Sequence, residues 1–267
     1  VAPAPRLHVE VDGDGPVVLL MHGLGGSARN WGPQVRALRS GHRVVRFDAR
    51  GHGRSEAPAA PEAYEPEAFV ADVGRVLDQV GAERAAVGGL SMGAGIALRF
   101  ALAHPERVGA LVLAAFPGSR DGAGFASVAL AFADAIERHG LEAAGAEFVW
   151  GDDSRLDSAG RLVRQGFLEH PPHALMWTLR RLIATQPSVE ELAPALAGLR
   201  IPALVAVGSE DRGSLEPSRK LAAMRPGARL VEIPGAGHVV NLQAPKEFNA
   251  ALVEFLDTVD RSPSAAL

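Results

Sequence analysis

Short apolar runs of strand length alternate with longer runs of helical spacing along this chain, and about eighty residues of purely helical pattern interrupt the alternation once. That order constrains the fold more than any other feature. Parallel strands need crossover connections, usually helices, and helices on both faces leave the strands buried. Val17-Val18-Leu19-Leu20-Met21 is apolar at every position, as a strand covered on both sides should be. The other expected strands are Leu7–Asp12, ending at the turn Gly13-Asp14-Gly15-Pro16, then Arg43–Phe47, Arg84–Gly88, Val108–Ala114, Ala203–Val207 and Arg229–Ile233. Helices are expected over Trp31–Arg39, Pro66–Val80, Ala94–Phe100 and Lys246–Val259. In the second, Phe69, Val73, Val76, Leu77 and Val80 fall on one face and Gly81 is a stop signal.

From Ser119 to about Gly198 only helical patterns occur, for example Val128, Phe132, Ile136 and then Leu175, Leu179, Leu182, Ile183. The expected organisation is therefore an α/β core from residues 1–118 and 199–267 with a helical insertion at 119–198. Ordering an insertion of that size costs entropy that burial must offset, which points to a role. The tail Ser262–Leu267 is expected to fray.

Composition closes several routes. There is no cysteine, hence no disulfide, thiolate metal site or Cys nucleophile. A net charge of −4 without a basic block offers no footprint for a nucleic-acid backbone. No apolar stretch reaches the ~18 residues of a membrane span. Val1-Ala2-Pro3-Ala4-Pro5 lacks the pattern of a signal peptide, so a cytoplasmic protein is expected, with removal of an earlier segment left open because the chain does not begin with Met.

Gly89-Leu90-Ser91-Met92-Gly93 reads G-x-S-x-G between a strand and a helix. A serine on such a turn is lifted above the sheet end, and the flanking glycines let neighbouring backbone pass without a Cβ clash. A serine hydroxyl needs a base to take its proton, and histidine titrates near neutrality. Of nine histidines, His238 follows the last expected strand, at the sheet edge where Ser91 emerges. His22 precedes a glycine turn and is expected to hold that loop together. The base needs an acid to fix its tautomer. Asp211 follows the Ala203–Val207 strand at the same edge, with Glu210 beside it as the rival. The turn Gly23-Leu24-Gly25-Gly26 follows Val17–Met21, and the backbone N–H groups of Leu24 and Met92 are the expected oxyanion donors. With no lysine nearby and no G-x-G-x-x-G spacing, that turn is not a nucleotide loop.

Together with Asp48-Ala49-Arg50-Gly51-His52-Gly53-Arg54-Ser55, these residues resemble the α/β-hydrolase superfamily, serine-nucleophile type. The resemblance implies a mostly parallel eight-stranded sheet flanked by helices, a helical cap over the nucleophile, and structural roles for Asp48 and Arg50 in tying loops together. It calls for no metal and no organic cofactor. The segments around Ser91 and His238 are similar to 3-oxoadipate enol-lactonases and their esterase relatives. What this implies is hydrolysis of a small carboxylic ester or lactone through an acyl-enzyme. Carbon–carbon bond (meta-cleavage-product) hydrolases share the pattern but usually carry Trp after the catalytic His, where Val239 stands here. Perhydrolases, cofactor-free oxygenases, acyltransferases and slow-turnover receptors share the scaffold and stay open, as does oligomeric state. In the cap, Phe148, Trp150, Met176 and Trp177 are the expected substrate-facing residues, with Trp31 beside the oxyanion turn. Arg120, Arg138, Arg164, Arg180 and Arg181 could include a carboxylate clamp.

Overall fold

The computed structural model describes residues 4–117 and 123–261. The strands are β1 (Val9–Asp12), β2 (Val17–Met21), β3 (Arg43–Phe47), β4 (Ala85–Leu90), β5 (Val108–Ala114), β6 (Ala203–Gly208) and β7 (Ala228–Ile233). They form one sheet in the order β1-β3-β2-β4-β5-β6-β7. Only β1, antiparallel to β3, breaks the parallel pairing. The expected count of eight strands is corrected to seven among the described residues, one for each strand-like run in the sequence. Pro5 lacks a ladder N–H, and Arg6 and His8 give theirs to Glu56 and Ser55 in the loop after β3.

The flanking helices are α1 (Gly32–Leu38), α2 (Pro66–Gln79) and α3 (Met92–Ala103). Beyond β5 come α4 (Ala123–Gly145), α5 (Ser158–Leu168), α6 (Pro172–Trp177) and α7 (Val189–Gly198), and after β6 come α8 (Leu215–Met224), α9 (Val240–Gln243) and α10 (Pro245–Asp260). The unbroken apolar run of β2 has a direct cause. Leu19 and Met21 enter a core with Phe69 and Val73 of α2 and Phe100 of α3. Val18 and Leu20 point the other way, to Val35 of α1 and Phe248 and Leu252 of α10.

Between β5 and β6 the described chain is helical, with α4 broken at Gly140 (φ +78°) and π-helical turns at Ala146–Trp150 and Thr178–Ile183. Phe132, Ile136, Phe167, Leu175 and Leu179 give this region a core of its own. α7 is different. It starts at a capping box, in which Ser188 Oγ accepts the Glu191 N–H at 3.2 Å and Glu191 accepts the Ser188 N–H at 2.7 Å. Its Val189 and Leu196 join the core of the sheet. So do Ala174 and Leu182 from the helices before it, and α7 leads into β6, the parallel neighbour of β5. No helix among the described residues is long and apolar enough to cross a membrane.

Candidate active site

Parallel strands end on one side of a sheet, and the loops after β2, β4, β6 and β7 meet there. Ser91 links β4 to α3 with φ +53° and ψ −113°, a left-handed conformation that costs a non-glycine residue energy. Neighbours hold it in place. The Ser91 N–H donates to the Ala114 carbonyl at 2.8 Å, and the Ser91 carbonyl accepts the Gly95 N–H at 3.0 Å. At Gly93 any Cβ would run into the Met21 carbonyl, so the first turn of α3 sits against the end of β2 only because that position is glycine.

The loops after β6 and β7 are laced together. Ser209 N–H reaches the Ile233 carbonyl and Glu210 N–H the Ala236 carbonyl, both at 2.9 Å, and Ser209 Oγ accepts the Gly235 N–H at 2.9 Å. This lacing brings Asp211 and His238 side by side. His238 Nδ1 lies 2.8 Å from Asp211 Oδ2, and His238 Nε2 lies 2.9 Å from Ser91 Oγ. Glu210, the sequence rival, is exposed. Asp211 is buried, which alone would raise its pKa. Hydrogen bonds from His238 and Ser214, with the charge of His238, outweigh burial and hold the carboxyl below the ordinary carboxylate range. An ionised Asp211 fixes the ring with its proton on Nδ1, leaving the Nε2 lone pair for the serine hydroxyl. Ser214, which sequence reasoning missed, donates its N–H to Asp211 Oδ1 at 3.2 Å. Asn241 was missed too. Its Nδ2 donates to the Asn30 carbonyl at 3.0 Å, tying the chain after His238 to the segment before α1.

The turn Gly23–Gly26 packs against the serine, since a Cβ on Gly23 would stand 3.5 Å from Ser91 Cβ. Met92 opens α3, so its N–H is a first-turn donor for which the helix supplies no acceptor. Below the turn, His22 Nδ1–H donates to the Gly23 carbonyl at 2.7 Å while Nε2 accepts the Ala49 N–H at 3.0 Å. Both bonds require a neutral ring. Burial lowers the His22 pKa from 6.5 to about 4, with only partial opposition from the Gly23 bond and Asp48. Burial likewise lowers His52 and His170. The unfolded chain therefore binds protons below about pH 6.5 that the folded chain refuses, and stability falls as pH drops from 6.5 towards 4. For His22 alone the loss is about 3 kcal/mol, with the other two rings adding in the same direction. Thermal melts should show Tm declining across that window, and a Tm constant from pH 7 to pH 4.5 would contradict the assignment.

A cavity of about 30 Å³ opens beside Ser91, bounded by Ile96, Pro117, Phe125, Leu182, Ile183 and the carboxamide of Gln186. The large residues expected to face substrate do not line this cavity. Trp31 is fully buried in the core under the sheet, 6.2 Å from Phe248. Phe148 stacks on Phe132 at 4.8 Å, and Trp150 meets Phe167 edge-on at 5.6 Å. Met176 belongs to the same cap core, and Trp177 packs against it beneath Arg180. Phe148, Trp150, Met176 and Trp177 thus build the interior of the helices between β5 and β6. The arginines are also engaged: Arg138 with Asp134, Arg164 with Glu142, Arg180 with Asp134 and Glu137, Arg181 with Glu65. Arg120 lies outside the described residues.

The fold is shared with known proteins. An enol-lactonase from Burkholderia xenovorans LB400 superposes with a TM-score of 0.84 at 30% identity, covering 95% of this chain and 97% of that one. A thermophilic esterase from Thermogutta terrifontis, solved with malate bound, gives 0.85 at 27% identity over 96% and 94% of the two chains. A Variovorax paradoxus protein assigned by name as the carbamate hydrolase RutD is 34% identical across 95% of this chain and 97% of its own length. Residues 17–251 match the profile of the alpha/beta hydrolase family, and the chain belongs to that family.

Proposed function

We propose that the protein hydrolyses a small, uncharged carboxylic ester through an acyl-enzyme formed on Ser91. The observation that carries this is the unbroken relay from Ser91 Oγ to His238 Nε2 at 2.9 Å and from His238 Nδ1 to Asp211 at 2.8 Å. Ser91 Oγ attacks the acyl carbon as its proton passes to His238 Nε2. The carbonyl oxygen becomes an oxyanion held by the N–H groups of Leu24 and Met92. Collapse of this intermediate breaks the bond to the alkoxy group, which leaves as the alcohol with the proton from His238. Water, deprotonated by His238, then attacks the acyl carbon, and release of the acid restores Ser91.

The cavity supports the substrate class. It has room for about one water molecule, so a short acyl chain fits with small shifts of the cap side chains. Among the described residues its walls are apolar apart from Ser91 and Gln186, and none of those lining it is an arginine or lysine. An acidic lactone, favoured by the likeness to an enol-lactonase, needs a cation near the site, and Arg138, Arg164, Arg180 and Arg181 are paired to carboxylates instead. Hydrolysis of p-nitrophenyl butyrate beside 3-oxoadipate enol-lactone tests the choice. The expected result is kcat/KM at least about tenfold higher for the butyrate, the scale of one unpaired charge–carboxylate contact. A preference for the lactone would overturn the substrate assignment, and inertness toward both would overturn ester hydrolysis.

A further inference from the structure

The oxyanion turn is one residue thick at Leu24, with Ser91 on one side and the cap on the other. The core grips it through His22, and the cap grips it at three further points. His170 Nε2 lies 3.0 Å from the Gly26 carbonyl. The Phe167 ring fills the space where a side chain on Gly25 would stand, and Gly25 has φ +68°. Glu169 pairs with Arg29, three residues beyond the turn. Leu24 itself packs into both the sheet core and the cap core. Phe167 ends the buried face of α5, and Glu169 and His170 follow it directly, so one short stretch of cap makes all three contacts.

His170 has no role in the proton relay, yet it is 4% exposed and its ring stands 5.1 Å from that of His52, which in turn stands 5.0 Å from His22. Carbonyls face both its nitrogens: Gly26 at 3.0 Å from Nε2 and Phe167 at 3.3 Å from Nδ1. Burial keeps the ring neutral, so it has one N–H to give, and the Gly26 carbonyl is the nearer acceptor. That carbonyl closes the turn whose N-terminal half carries Leu24, while the Gly26 N–H returns to the Gly23 carbonyl at 3.0 Å. The Leu24 N–H lies in the same peptide plane as the Gly23 carbonyl, so the Gly26 N–H holds that plane directly, and the bond to His170 fixes the Gly26–Ser27 peptide at the far end of the turn.

From this we infer that His170 is a positioning residue: by donating to the Gly26 carbonyl, the cap aims the Leu24 N–H at the developing oxyanion. The cap is then part of the apparatus that stabilises the transition state, besides covering the cavity. The inference rests on the acyl-enzyme reading of Ser91. Oxyanion donors act over tenths of an ångström, and a misplacement of about 1 Å costs up to 10²-fold.

Two variants and a boronic acid test it. In His170→Phe the ring volume stays and the donor goes; in His170→Gln the amide nitrogen stands near the position of Nε2 and can still donate. With p-nitrophenyl butyrate, His170→Phe should lose about tenfold in kcat with KM within about twofold, and His170→Gln should recover most of the loss. Butylboronic acid adds Ser91 Oγ to its trigonal boron, with the serine proton passing to His238, and gives a tetrahedral anion that uses the oxyanion donors. Its inhibition constant should weaken in His170→Phe by the same factor as kcat, while inhibition by the product butyrate stays unchanged. Wild-type kcat and boronate affinity in His170→Phe would overturn the assignment. So would a His170→Gln variant as impaired as His170→Phe, or a melting point that falls with kcat while boronate affinity holds. Labelling of the wild-type protein by a fluorophosphonate separates the two readings. An unlabelled wild type removes the acyl-enzyme, whereas a labelled wild type with an unaffected His170→Phe removes only the positioning role.

Discussion

Ser91→Ala is expected to lower turnover of p-nitrophenyl butyrate by about 10⁴–10⁶-fold while moving the melting point by no more than about 1–2 °C. The two halves of this expectation have separate causes. Removing Oγ deletes the atom that attacks, and His238 and Asp211 have nothing left to activate, so losses within such a unit do not add. What remains comes from the oxyanion donors and from binding, about 10³-fold over water. The fold is spared because alanine suffers the same strain at φ +53° as serine does. His238 is half-exposed, and water can replace the lost hydroxyl at Nε2. Steady-state rates with a fluorophosphonate-titrated wild type as reference, beside thermal melts, measure both halves. Survival of more than about 1% of the activity would remove Ser91 as nucleophile.

The second large effect falls on stability. Asp72→Ala is expected to cost about 3–5 kcal/mol, because it strands a buried guanidinium. Arg50 donates through Nε to Asp72 Oδ2 at 2.7 Å and through Nη2 to Asp72 Oδ1 at 2.6 Å, and both side chains are almost wholly buried. The pair fastens the loop after β3 to α2, and the remaining guanidinium bonds reach the Ala63 and Ala68 carbonyls without any second carboxylate. For a chain this long the loss corresponds to a Tm lower by roughly 6–20 °C. The reverse deletion is milder, since Asp72 keeps Arg75 as a partner. Thermal unfolding of Asp72→Ala, Arg50→Met and the double variant settles the question, because the double should recover part of the loss. A Tm for Asp72→Ala within 2 °C of the parent would show that the charge finds water.

Much of this architecture can be read from the residues, for reasons that also mark where reading stops. β2 and β5 are apolar at nearly every position because both faces are covered, and the structure places them at Val17–Met21 and Val108–Ala114, the bounds their runs suggest. Ser91, Asp211 and His238 are legible because each directly follows a strand of a parallel sheet, and such loops converge. The pocket was not legible. Phe148, Trp150, Met176 and Trp177 have the size and spacing of substrate-facing residues, but the same spacing serves helices that pack on one another, as the contacts of Phe148 with Phe132 and of Trp150 with Phe167 show. Trp31 shows the same limit at shorter range. It follows Gly26 by five residues, yet the 3₁₀ turn at Ala28–Trp31 swings it under the sheet towards Phe248. Leu182 and Ile183 were visible as a helical stripe, and Gln186 could have been flagged as a polar residue just past its end. Eight strands came from the resemblance alone, and counting the runs would have returned seven.

The placement of α7 bears on how this fold tolerates the exchange of parts. A unit grafted from a relative must leave the host's hydrophobic layers closed, and α7 supplies Val189 and Leu196 to the layer over the sheet. Cutting at the start of β6 would carry that helix away with the graft and open the host beneath it. Seams near Pro117 and Pro187 would keep α7 with the recipient, and the transferred helices must still supply counterparts of Ala174 and Leu182 to that layer. Such a chimera would also import the donor's counterpart of Phe167 and His170, so its rate would report how well a foreign clamp fits the recipient's Gly23–Gly26 turn.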